Sequence, residues 1–272
     1  MPRRAEYRGK VMYKHHEESL EIMKDYFRKQ DVIALIFGGS VAKGNARPDS
    51  DLDGIVVVSE AVYQQKKADN CTAETIGGLC TYEGGYFDVK YVTKEFLEEA
   101  AEKGSEPARN AFVKARVLFS DDPEIEEITA QIPVFQKGEK EEKMRSFYAD
   151  FWANYYYFLK DCKVQGYMRI HAVNEIIYSI YRIILQENEI LFACNRRLEE
   201  QVESVSKEAA ELTALGKKLA ATQEMKDAEA FVEKFREISG YVPRENVAEI
   251  LSTYTRDFEQ WWREPRPNIN EW

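Results

Sequence analysis

No stretch of these 272 residues reaches the roughly 18 continuous apolar residues that a membrane span requires. The N-terminal MPRRAEYRGK also lacks the apolar core of a signal peptide. The expectation is a cytoplasmic protein with no membrane partner. Cysteine is scarce: Cys71, Cys80, Cys162 and Cys194 are widely spaced and form no C-x-x-C pair. That excludes a disulfide or zinc framework of the usual spacing and predicts reduced thiols. An excess of basic charge is missing too. A formal charge of −10 and a pI near 5.1 argue against a long nucleic-acid groove, whose counterion-release affinity needs a basic surface. Net charge describes the whole surface, however, and leaves room for a local basic pocket. The segment spacings show no fixed repeat of the solenoid kind.

What is present is concentrated in residues 33–60, IALIFGGSVAKGNARPDSDLDGIVVVSE. The β-branched apolar runs ALIF and GIVVV, bounded by Gly, Pro, Asp and Ser, predict two buried strands with a short polar loop between them. Side chains alternate along a strand, so Asp51 and Asp53 share a face about 6 to 7 Å apart. Two carboxylates on one face repel unless a cation lies between them, and a divalent ion with oxygen ligands, Mg²⁺ above all, resolves the repulsion. The Gly38-Gly39-Ser40 turn just upstream offers unblocked backbone N–H groups and one hydroxyl, which suits a phosphate.

Gly39-Ser40, ten intervening residues and then Asp51-Leu52-Asp53, with apolar strands on both sides, resemble the signature of the DNA-polymerase-β-type nucleotidyltransferase superfamily. The likeness is to its small bacterial members that modify antibiotics such as aminoglycosides and lincosamides. It is specific over residues 30–120 and one of general plan beyond them. The resemblance implies an α+β fold, in which a mixed sheet flanked by helices is followed by an all-helical bundle. It implies transfer of a nucleoside monophosphate, AMP from ATP, to a hydroxyl of a small-molecule acceptor, with Mg²⁺ and release of pyrophosphate. Asp51 and Asp53 would hold the metal, while Ser40, the Gly38 and Gly39 backbone and Lys43 would hold the triphosphate. In the superfamily a third carboxylate stands on the neighbouring strand, as metal ligand or general base, and Asp88 is at the corresponding place. Ser50 matches a common family residue and is expected to order the turn.

Read in order, residues 12–30 predict an amphipathic helix with Leu20, Met23 and Phe27 inward, and His15 and His16 are expected at the surface. Residues 61–78 read as a helix. LCTYEGGYFDVKYVT reads as two strands joined at Glu83-Gly84-Gly85, the second placing Tyr86, Asp88 and Lys90 on one face. An aspartate inside an apolar strand is expensive to bury without a partner. Its function-free alternative is a salt bridge to Lys90 or to a lysine of a neighbouring strand. Two helical segments around Gly104 and Pro107, a strand over ARVLFS and a helix start at Asp121-Asp122-Pro123 complete the first half.

The strand character ends near Pro133, which places the first domain at 1–135 and the helical domain at 136–272, with the active site expected in a cleft between them. Phe147, Phe151, Tyr155 and Phe158, with Tyr148, Trp152, Tyr156 and Leu159, cover two faces of one helix. That coverage means burial in a bundle or at the subunit contact of a homodimer. In the next helix Ile170, Val173, Ile177, Ile180 and Ile184 form the predicted seam. His171, Glu175, Tyr178 and Arg182 lie opposite as an outward polar stripe, either solvated or the wall of an acceptor pocket. Glu175 and Asp88 are the two candidates for general base. Asn195-Arg196-Arg197 comes right after a short apolar run, three charged helices follow over 206–222, 224–239 and 244–263, and the tail EPRPNINEW is expected to be loosely ordered. A nucleotidyltransferase acting on a protein side chain or an RNA end, or a degenerate nucleotide-binding module, is the alternative reading.

Overall fold

The computed structural model describes residues 12–263. The signal-peptide and tail expectations lie outside them. The chain divides into two compact units, one running to Gly104 and resuming over Ala108–Val134, the other holding Ser105–Pro107 and the chain from Phe135 onward.

The first unit is a five-stranded mixed sheet: β1 (Ala34–Phe37), β2 (Leu52–Val57), β3 (Ala73–Gly77), β4 (Tyr86–Val92) and β5 (Arg116–Ser120), in the order β3-β4-β2-β1-β5. Only β2 and β4 pair in parallel; the other neighbours are antiparallel. Strand alternation assigns the two faces. Leu35 and Phe37 of β1, Leu52 and Val56 of β2, and Phe87, Val89 and Tyr91 of β4 pack under Leu20, Met23 and Phe27 of α1 (Lys14–Phe27). Ala34, Ile36, Val57 and Val92 face the other way. They meet Leu97 and Ala100 of α4 (Lys94–Lys103) and Ile125 of α6 (Glu124–Gln131). Asp53 and Asp88, each an even number of residues from Val57 and Val92 on the same strand, belong to this second face.

Three expectations are corrected here. Residues 39–43 are a short helix, α2 (Gly39–Lys43), rather than loop, ended by Gly44 in the left-handed region at φ +79°. The strand pairing antiparallel with β4 is Ala73–Gly77, after a helix α3 (Glu60–Ala68) shorter than predicted, and Leu79–Tyr82 is not a strand. This edge strand is polar, AETIG, so no apolar alternation marks it; Glu74 is instead tied to Lys66 and to the Tyr91 hydroxyl. His16 is fully buried rather than exposed. It packs edge-on against Tyr13 and Tyr82, and burial followed by neighbouring His15 lowers its pKa, favouring the neutral ring.

The second unit is helical: α7 (Lys140–Trp152), continued by a wider-wound segment Ala153–Asp161, then α8 (Gly166–Glu187), α9 (Asn195–Glu203), α10 (Lys207–Thr222), α11 (Met225–Ile238) and α12 (Val247–Tyr254). Its core joins Phe147, Phe151 and Tyr155 to Ile176, Ile180 and Ile184 and to Leu212, Leu219, Phe231 and Phe235 of later helices. Because the winding after Trp152 follows an i+5 pattern, Leu159 and not Phe158 takes the inward place after Tyr155. The seam of α8 is rotated from the predicted one, with Ile170 at 45% exposure and Ile176 at 0%. The reason is Arg182, which is fully buried instead of outward. Its guanidinium donates to the carboxylate of Glu106, the first residue of α5 (Glu106–Ala111), at 3.4 Å and lies over the Phe147 and Phe192 rings at 4.5 and 4.2 Å. Glu106 also accepts from Lys143 at 3.3 Å, from the Phe192 N–H at 2.9 Å and from Gln186.

Candidate active site

The parallel pairing of β2 and β4 sets Asp53 directly beside Asp88 in register, and residues opposite one another in a parallel pair project to the same face. Asp51 lies just before β2. The three carboxylates each offer an oxygen within 4.8 Å of the others. Gly38, at the end of β1, donates its N–H to the Asp53 carbonyl at 3.1 Å, so the start of α2 is laid against the Asp53 side chain. Gly39 stands there at φ +71°, and a Cβ on it would lie 1.6 Å from Asp53 Oδ2. Only glycine satisfies both the backbone conformation and the approach. The Ser40 N–H donates to the Asp53 carboxylate, so this helix start holds the aspartate as well as facing outward.

Burial first, then the charges of Asp51 and Asp88, push the Asp53 pKa up to about 6; the Ser40 N–H and Lys90 pull it only partly back. Asp51 accepts from the Tyr86 hydroxyl, which raises the tyrosine's pKa through the Asp51 charge first. The preceding turn is tied down by Ser50: its Oγ accepts from the Arg47 N–H at 2.9 Å, and its carbonyl accepts from the Tyr82 hydroxyl at 2.5 Å. Lys43, at the end of α2, donates to Asn110 Oδ1 at 2.7 Å.

Three carboxylates in mutual repulsion, with oxygen-only donors, fit a hard divalent cation such as Mg²⁺. Burial is the first cause of the depressed acidity of Asp53 and repulsion from Asp51 and Asp88 the next, and a cation relieves that repulsion. The structure therefore brings Asp51, Asp53 and Asp88 together and sets Gly38, Gly39 and Ser40 against them. Lys43 stands one helical turn further on. Glu175 belongs to the second unit, on α8, where His171 Nδ1 lies 3.8 Å from its carboxylate. Tyr86 and Tyr82 were not singled out by sequence reasoning as parts of the site. Tyr86 shared a face with Asp88 and so carried a signal. Tyr82 carried none, because its partner Ser50 is far away in the chain.

A family model described as a nucleotidyltransferase domain matches residues 16–178, more than half of the chain. No curated protein matches the sequence. Among solved structures, the chain is similar to a nucleotidyltransferase-like protein from Exiguobacterium sibiricum 255-15, at 11% identity and a TM-score of 0.45, over 92% of this chain and 81% of that one. It is also similar to spectinomycin adenyltransferase AAD(9) from Enterococcus faecialis, solved with ATP and spectinomycin, at 13% identity and a TM-score of 0.31, over 90% of this chain and 96% of that one.

Proposed function

This chain belongs to the nucleotidyltransferase domain family and is a nucleotidyltransferase, and from that premise we propose that it transfers AMP from ATP to a hydroxyl of a small molecule of the aminoglycoside or lincosamide kind, releasing pyrophosphate. The observation that carries the reading is the triad of Asp51, Asp53 and Asp88, gathered on and just ahead of two parallel strands beside a glycine that admits no side chain. Magnesium held by these three would supply charge stabilisation at the α-phosphate and at the attacking oxygen. The remaining work falls to the chain's own groups.

Gly38 and Gly39 leave the backbone open to the β- and γ-phosphates. The Ser40 hydroxyl donates to them, since its N–H is engaged with Asp53. Lys43 exchanges its Asn110 contact for a phosphate oxygen. Asp53 must be ionised to take part, and a cation beside it returns its pKa toward the ordinary carboxylate range. The acceptor hydroxyl gives its proton to a carboxylate. Asp88, held beside Asp53 by the β2–β4 register, is the candidate of the first unit for that base.

The test is pyrophosphate release from ATP, GTP, CTP and UTP with Mg²⁺ against streptomycin, spectinomycin, kanamycin and lincomycin. Wild type is expected to turn over ATP with at least one of these acceptors, and Asp51→Asn is expected to lose turnover while keeping its circular dichroism spectrum. Activity of that variant within about tenfold of wild type, a loss of no more than about 1.4 kcal/mol in transition-state stabilisation, would remove the metal role from Asp51.

A further inference from the structure

Asp51 comes one residue before β2 begins at Leu52 and so lies outside the β2–β4 register that fixes Asp53 beside Asp88. Its place depends on the turn ahead of it. That turn closes on itself through Ser50, whose N–H donates to the Arg47 carbonyl at 3.1 Å and whose Oγ accepts from the Arg47 N–H at 2.9 Å. Two longer-range bonds attach it to other parts of the first unit. The Tyr82 hydroxyl donates to the Ser50 carbonyl at 2.5 Å, and Nε2 of His15, on α1, donates to the Pro48 carbonyl at 2.9 Å. A carbonyl only accepts, so the His15 proton is on Nε2.

Tyr82 sits in the irregular connection between β3 and β4, yet it is seated as firmly as a core residue. Its ring lies against His15 with centroids 4.6 Å apart and meets the buried His16 edge-on at 5.1 Å. A Cβ on Gly85 would stand 2.6 Å from Tyr82 Cζ and 2.7 Å from Cys80 Cβ, so the ring packs on bare backbone there. The residue before it is pinned to α1. The Thr81 N–H donates to the buried Ser19 Oγ at 2.9 Å, and Thr81 Oγ1 donates to the His15 carbonyl at 3.1 Å. All of these contacts converge on one phenol, and that phenol meets the carbonyl next to Asp51.

We propose that Tyr82 is a positioning residue of the metal site, and that its hydroxyl fixes where Asp51 stands relative to Asp53 and Asp88. The inference rests on the reading of these three acids as Mg²⁺ ligands. The peptide joining Ser50 to Asp51 is planar, so a bond that holds the Ser50 oxygen also holds the Asp51 nitrogen and Cα. Mg²⁺ demands near-octahedral geometry at short distances. A carboxylate already in place binds it more tightly than one that must first be ordered. Without the hydroxyl, the Ser50–Asp51 peptide loses its tie to the β3–β4 connection and Asp51 gains freedom that Mg²⁺ binding must then remove.

The test is calorimetric titration of Mg²⁺ alone into the whole chain at pH 8. Tyr82→Phe keeps the ring and removes only the hydroxyl. It is expected to bind Mg²⁺ about threefold to tenfold more weakly, the scale of one neutral hydrogen bond. Gly85→Ala keeps the hydroxyl but displaces the ring, and is expected to weaken binding in the same direction. Tyr91→Phe is the control for general loosening. It removes a hydroxyl that donates to Glu74 at 2.6 Å, further along β4 and on the face opposite Asp88, and is expected to keep wild-type Mg²⁺ affinity. In ATP turnover, Tyr82→Phe is expected to need more Mg²⁺ and to regain the wild-type kcat once Mg²⁺ is saturating. Wild-type Mg²⁺ affinity in Tyr82→Phe overturns the inference, and so does an equal loss in Tyr91→Phe. Asp51→Asn separates it from the reading beneath it. If that variant binds Mg²⁺ like wild type, Asp51 is no ligand and the metal reading falls together with the inference. If Asp51→Asn loses Mg²⁺ while Tyr82→Phe does not, the metal reading stands and only the role of Tyr82 is refuted.

Discussion

Gly39 and Asp53 occupy one small space, and what each can become is dictated by the other. Gly39→Ala puts a methyl group 1.6 Å from Asp53 Oδ2 at a backbone φ of +71°, so either the aspartate or the start of α2 must move. The expected outcome is loss of turnover by about 10²-fold or more, the scale on which displacements of about 1 Å act in such sites. Isothermal titration should show weakened Mg²⁺ binding to a folded protein, and wild-type Mg²⁺ affinity would sink the argument. Asp53 also makes a stability prediction. Its folded pKa of about 6 lies above its ordinary 3.8, so its contribution to stability is intact below pH 3.8 and is lost as pH rises through 6. At pH 8 without metal the ionised group should cost about 1 to 3 kcal/mol. Asp53→Asn is therefore expected to melt higher than wild type at pH 8 in chelator, with the gap closing toward pH 4. Added Mg²⁺ should raise the Tm of wild type and leave the variant nearly unmoved. A variant that melts below wild type at pH 8 without metal would contradict this.

At the scale of the element, α8 is anchored by charge as much as by its apolar face. Arg182 and Lys143 are both buried, and both donate to Glu106, which is itself 1% exposed. Removing the acid takes a carboxylate from two buried cations and leaves Lys143 with Glu139 and Arg182 with the Tyr178 hydroxyl. Glu106→Ala is expected to destabilise the helical unit by about 3 to 5 kcal/mol, the usual consequence of breaking a buried ion pair from one side. Glu106→Gln, which keeps the shape and some of the hydrogen bonds, should lose less. Urea unfolding followed by circular dichroism measures both, and a loss under about 1 kcal/mol in the alanine variant would show that water reaches the network. Register matters as much in the sheet. A one-residue slip of β4 along β2 would turn Asp88 away from Asp53 and put Phe87 or Val89 in its place. The packing of Phe87, Val89 and Tyr91 beneath α1 prevents it.

At the scale of the whole molecule, the net charge of −10 separates a small acceptor from an RNA end. Binding to a polyanion is driven by counterion release and needs clustered cations. Fluorescence anisotropy with labelled RNA oligomers is expected to show no low-micromolar binding even at about 50 mM salt, where such binding is strongest. Tight binding with a steep salt dependence would turn the reading toward RNA. Among the described residues no helix is long and apolar enough to cross a membrane.

Whatever depends on neighbours in the chain was legible from the residues alone. ALIF and GIVVV were readable as strands because their apolar runs are local, and Gly39-Ser40 with Asp51-x-Asp53 because the motif lies within one short stretch of chain, the helix α2 and the loop after it. Asp88 was legible as an aspartate in an apolar strand. The polar edge strand Ala73–Gly77 was not, since its stability comes from pairing with β4 rather than from its own side chains. Nor was the burial of His16 and Arg182, polar residues whose partners Tyr82 and Glu106 are distant in sequence. These waited on the fold, because the buried Arg182 charge is tolerated where the Glu106 carboxylate meets it, and a linear pattern does not say which distant groups will meet.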